Sequence, residues 1–122
     1  MQLKMTSNRR VAIEYSQTFE NLLNDLINYL SQFSDEEQVI IRIETCIERF
    51  EKLASYTPEA APISHSLLEL GVTQFREFTL DDFRLVYRVI NDDDATRVIG
   101  DLIVSQKQDL QQLLINYCLL HK

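Results

Sequence analysis

The chain has 122 residues, 45% hydrophobic and 25% charged, with a formal net charge of −7. That length suits a single domain with one core, and the apolar content is too high for a largely disordered chain. The acidic balance disfavours sequence-independent nucleic-acid binding, no apolar run reaches the roughly 18 residues needed to span a bilayer, and no charged start followed by an apolar stretch marks export.

Residues 1–10 are polar, with Lys4, Arg9 and Arg10, and are expected to form a flexible, solvated arm. Val11–Tyr15 alternates enough for a short first strand. Phe19, Leu22, Leu23, Leu26, Ile27, Leu30 and Phe33 then recur at spacings of three and four, which predicts an amphipathic helix with Ser16 as its N-cap. Ser34-Asp35-Glu36-Glu37 has the form of a capping box with Ser34 at the cap. The stripe behind it, Val39, Ile40, Ile43, Cys46, Ile47, Phe50 and Leu53, predicts a second helix ending by about Tyr56, ahead of Pro58 and Pro62. With almost no linker between them, the two helices should fold back as an antiparallel hairpin.

Thr57–Ser66 is the loosest segment. Gly71 precedes a strand at about Gln74–Leu80, followed by strands at Phe83–Ile90 and about Arg97–Val104. Three strands with short links predict an antiparallel meander. Ser105-Gln106-Lys107-Gln108 starts a final helix running to about Leu120, with Leu110, Leu113, Leu114, Tyr117 and Cys118 on one side. Ile115 and Leu119 widen that surface, which suits either a partner or a fully packed helix. The fold class expected is α+β: an N-terminal strand, a helical hairpin packed on an antiparallel sheet, and a C-terminal helix.

The most informative stretch is Phe83-Arg84-Leu85-Val86-Tyr87-Arg88-Val89-Ile90. Its period of two places Phe83, Leu85, Tyr87 and Val89 on a core face, and Arg84 and Arg88 on the opposite face with Val86 and Ile90. Two arginines on an open sheet face suit an anionic or peptide partner. The competing reading has them paired with Asp101, Glu77 or the acidic turn Asn91–Asp94, their stems covering apolar neighbours.

Much chemistry is absent from the sequence. With only Gly71 and Gly100, no glycine-rich phosphate loop can be written. His65 sits in a loop and His121 at the tail, which does not form a histidine-based catalytic pair. No Cys/His spacing suits zinc, and the run from Asp92 has Arg97 and Ile103 where a calcium loop needs Gly and Glu. Cys46 and Cys118 fall among apolar neighbours on expected helices and read as buried reduced thiols of a cytoplasmic protein; a bond between them stays open. No metal and no cofactor is expected.

The order of elements, the helix led by Ser16, Gly71 before Arg76-Glu77, the Phe83–Arg88 strand and the closing Ile103-Val104-Ser105-Gln106-Lys107-Gln108-Asp109 together resemble the RelE/ParE toxin superfamily, over roughly Val11 to Leu114. The resemblance implies the toxin half of a bacterial type II toxin–antitoxin pair, neutralised by an antitoxin whose C-terminal segment wraps the toxin. RelE-like members cut messenger RNA on the ribosome, whereas ParE-like members act on DNA gyrase. Arg84 matches the basic residue of the nuclease branch's central strand. Arg76 falls where that branch often has lysine and also matches the Arg-Glu pair of ParE-like chains, and Lys107 sits where both branches place arginine. Three positions depart from the pattern: Ser105 where many members have histidine, Leu113 near the nuclease tyrosine, and Phe78 at the second lysine.

Arg84, Arg76 and Lys107 would hold phosphate if the chain were a nuclease, but no acid or base accompanies them. The ParE-like branch, non-enzymatic and directed at gyrase, is therefore the favoured expectation. The alternatives are a ribosome-dependent endoribonuclease and a degenerate member that binds antitoxin without toxicity. The surface expected to bind antitoxin or target comprises Arg76, Arg84, Arg88, Lys107, Leu110 and Leu114. Both a homodimer and a hetero-oligomer with the antitoxin are compatible with the sequence.

Overall fold

The computed structural model describes residues 10–106. The expected N-terminal arm falls almost wholly outside the described residues, as does the expected last helix with Lys107, Leu110, Leu113, Leu114, Tyr117 and Cys118. The described chain runs β1 (Arg10–Tyr15), α1 (Gln17–Leu30), α2 (Glu36–Tyr56), a short α3 (His65–Leu68), β2 (Phe75–Leu80), β3 (Phe83–Asn91) and β4 (Ala95–Ser105).

The four strands form one sheet in the order β1-β4-β3-β2. The meander β2–β3–β4 is antiparallel as expected, but β1 lies parallel to β4, with Arg10 opposite Ala95 and Tyr15 opposite Gly100. The sheet is therefore mixed where the sequence reading expected an antiparallel one. A parallel neighbour requires a crossover, and α1 and α2 supply it by carrying the chain away from β1 over one face. Val11, Ile13 and Tyr15 turn towards the core while Ala12 and Glu14 stay exposed.

Helix α1 begins where expected. The Ser16 hydroxyl accepts the Phe19 amide at 3.0 Å and donates to the Asp101 carbonyl at 3.2 Å, so the cap also ties the helix to β4. Phe19, Leu22 and Leu26 are buried. Phe33 is not part of that stripe: the helix ends at Leu30, and Phe33 lies in the following turn, 70% exposed. The second cap also differs from expectation. The Ser34 amide still donates to Leu30 O at the end of α1, and Asp35 takes the capping role, its carboxylate accepting the Gln38 amide.

Helix α2 buries Val39, Ile43, Cys46, Phe50 and Ala54, a stripe spaced by three and four residues. Phe50 is at its centre, with ring centroids 5.0 Å from Tyr87, 6.0 Å from Phe78 and 6.5 Å from Tyr15. Those three rings belong to β3, β2 and β1, so one helical side chain gathers three strands. Full burial of a residue of that size favours folding by about 3 kcal/mol. The β2–β3 link is the two-residue turn Asp81–Asp82, in which Asp81 adopts a φ of 57°. A short polar side chain tolerates that left-handed conformation.

Candidate functional site

Strand β3 orients Phe83, Leu85 and Tyr87 towards the helices, which leaves Arg84 and Arg88 on the reverse of the sheet, roughly 13 Å apart along the strand. That reverse face is not the open layer the sequence suggested. Val86, between the two arginines, is 0% exposed, and on β4 Leu102 opposite it and Val104 opposite Arg84 are 6% and 1% exposed. The arginines thus stand on a dry apolar platform.

Both are ion-paired with neighbours on the adjoining strands. Arg84 Nε lies 3.1 Å from Glu77 Oε2, with the two side chains only 18% and 16% exposed. The other Glu77 oxygen accepts the hydroxyl of Ser64, itself fully buried, at 2.8 Å. Arg84 Nη2 also donates to Gln106 O at 3.3 Å. Arg88 makes a two-pronged pair with Asp101, Nε to Oδ2 at 2.7 Å and Nη2 to Oδ1 at 3.1 Å, and its guanidinium lies 5.8 Å from the Phe75 ring centroid. The competing reading, pairing with Glu77 and Asp101, describes these two residues.

Asp101 reaches Arg88 because of an irregularity in the ladder. Val86 is opposite Leu102 and Tyr87 is opposite Gly100, so Asp101 is an extra residue bulged out of β4. Gly100 beside it permits the close approach of β1: a Cβ there would stand 2.6 Å from Tyr15 Cδ1. The sequence signals the bulge only through that glycine.

Arg76 is separated from the other two arginines. It is opposite Tyr87 in the β2–β3 ladder, on the helical side, and its Nη1 donates to the Ala61 carbonyl at 2.7 Å. The Tyr87 hydroxyl donates to Pro58 O at 2.7 Å. Together they clamp the loop Thr57–Ser64 along the edge of β2, where Ser64 N donates to Phe75 O and Glu77 N to Pro62 O. The structure therefore gives Arg76 a loop-anchoring position, while Arg84 and Arg88 share the reverse face. Ser64 was missed by sequence reasoning, since nothing in its loop distinguishes it from a solvated serine.

Chemically, the reverse face presents two charge-compensated guanidinium groups on an apolar base. The Glu77 and Asp101 oxygens are engaged by arginine or serine. Among the described residues, no group of three or more His, Cys, Asp or Glu could hold a metal ion.

A helical hairpin on one face of a β1-β4-β3-β2 sheet, with paired arginines on the other, defines a small α+β protein. The family model for the ParE toxin of the type II toxin–antitoxin system parDE matches residues 13–110, and the chain belongs to that family. Among solved structures the chain is similar to the chromosomal ParDE TA system from P. aeruginosa, with a TM-score of 0.59 and 14% identity, covering 78% of this chain and 95% of that one. At that identity the likeness bears on the fold. No curated protein matches the chain. Among the described residues, no helix is long and apolar enough to cross a membrane.

Proposed function

We propose that this ParE-family chain is a cytoplasmic toxin that acts on DNA gyrase without enzymatic chemistry of its own, and that a cognate antitoxin neutralises it. The observation that carries the reading is the pair of compensated arginines, Arg84 with Glu77 and Arg88 with Asp101, on the face away from the helices. An acidic antitoxin segment brings its own carboxylates to the two guanidinium groups, which retain Glu77 and Asp101 as internal counter-ions because displacing either would leave a part-buried carboxylate unpaired. Apolar side chains flanking the segment's carboxylates then supply the affinity. Lys107, Leu110 and Leu114 follow directly after β4 in sequence and extend the proposed binding surface. Arg76 contributes by holding the loop that carries Ser64.

The nuclease alternative needs a group to accept the 2′-hydroxyl proton and one to protonate the leaving oxygen. Glu77 and Asp101, the carboxylates beside the arginines, are spent on ion pairs, which favours a binding surface over a cleavage site. Purified protein in a gyrase supercoiling assay beside a ribosome-programmed message-cleavage assay separates the readings. Inhibited supercoiling supports the proposal and cut message overturns it. Silence in both with tight antitoxin binding indicates a member that has lost toxicity.

A further inference from the structure

The tip of the helical hairpin, away from the arginine face, carries a second surface. Tyr29 at the end of α1 and Phe33 in the turn after it are 52% and 70% exposed, and their rings meet edge to face with centroids 5.4 Å apart. They line a groove of about 410 Å³ with Leu30, Ser34, Arg42, Asp82 and Ser105. Exposed apolar residues scattered singly are unremarkable, but two rings in edge-to-face contact beside a groove form a contiguous patch.

The border of the groove is acidic. Asp82 lines the groove, Asp81 beside it shares the Arg42 guanidinium, and the exposed Asp35 follows the lining residue Ser34 in the chain. The described cation within the groove, Arg42, is already bound to Asp81 at 3.1 Å and Asp82 at 3.2 Å. Three carboxylates thus stand at or beside the groove, with two exposed aromatic rings, against one compensated guanidinium, an excess of negative charge that complements a cationic occupant.

We propose that this groove docks a lysine- or arginine-bearing, apolar segment of a protein partner. A partner ammonium or guanidinium lies over the Tyr29 and Phe33 rings while the acidic border neutralises it, and a neighbouring apolar side chain enters against Leu30. The aromatic rings and the negative border recognise the same group, so the surface rejects acidic segments. This is the charge preference opposite to that of Arg84 and Arg88.

The test uses the isotopically labelled full chain and a short synthetic peptide of Lys, Leu and Ala, beside its counterpart with Glu in place of Lys. The expected result is amide shifts centred on Tyr29, Phe33 and Asp82 with the lysine peptide alone, and affinity that falls with added salt. Phe33→Ala should weaken that binding roughly five- to tenfold and Tyr29→Phe should preserve it, as a ring-face contact requires. Equal binding of both peptides, shifts elsewhere, no binding, or an unchanged affinity in Phe33→Ala would overturn the proposal. Because neither gyrase nor antitoxin enters the measurement, its failure is separate from any failure of the toxin reading.

Discussion

Arg88 and Asp101 meet through two hydrogen bonds, 2.7 and 3.1 Å, across a pair of strands whose register breaks at that point. The bulge makes the contact possible, and the same residue's backbone carbonyl receives the Ser16 hydroxyl that starts α1. One inserted residue therefore links the helix cap, the strand ladder and the arginine face.

Removing that carboxylate should be costly. Asp101→Ala leaves the part-buried Arg88 guanidinium without its bidentate partner and is expected to destabilise the chain by about 1–3 kcal/mol in urea denaturation. The double variant Asp101→Ala with Arg88→Met removes both charges and should recover part of the loss. An additive double variant would contradict the coupling.

Gly100→Ala places a methyl group 2.6 Å from Tyr15 Cδ1 and 2.9 Å from Cε1, closer than packed atoms tolerate. The expected cost is about 1–3 kcal/mol, seen as a lowered Tm. Combining it with Tyr15→Leu should relieve the clash, and a Tm unmoved by the single change would show that β1 does not approach so closely.

Tyr87 is fully buried against Phe50, and its hydroxyl serves Pro58 O. Tyr87→Phe should cost about 1 kcal/mol of stability, the value of one neutral hydrogen bond. On the proposed function, gyrase inhibition by the folded variant should match that of the parent. A selective loss of inhibition at unchanged stability would give the hydroxyl a functional role.

Burial in the core, with the Asp81 charge adding to it, pushes the Cys46 thiol up to about 11 from an ordinary value of 9.0. Burial and the hydrogen bond to Glu51 push Tyr15 upward as well, and burial does the same for Tyr87. The folded chain thus keeps protons that the unfolded chain releases. That contribution to stability is fully present below the unfolded values and declines as pH rises through about 9 to 11. Urea midpoints recorded across this range should fall, and Cys46→Ala should flatten the earlier part of the decline. In the native state at neutral pH, Cys46 should resist thiol reagents and react only on unfolding.

Local features were well marked in the sequence. The three-and-four spacing from Phe19 to Leu30 and from Val39 to Phe50, the Ser16 cap and the alternation from Phe83 to Tyr87 each rest on interactions within a few residues, and each appears in the structure. Errors arose where neighbouring groups compete. Ser34 satisfies the capping pattern, but its amide is retained by α1, so Asp35 caps α2. Phe33 continues the helical spacing by count, but the helix has already ended.

The sequence by itself determined the two long helices, the meander, the acidic turn between β3 and β4 and the two faces of β3, because periodicity and turn chemistry are properties of contiguous residues. The tertiary structure alone decided that β1 runs parallel to β4, that Arg76 faces the helices, and that Arg84 and Arg88 find Glu77 and Asp101. Those outcomes depend on strand register between segments far apart in the chain, and a shift of one residue reverses which face a side chain occupies. The bulge at Asp101 is such a shift, so the charge state of the arginine face was a matter of folding rather than of composition.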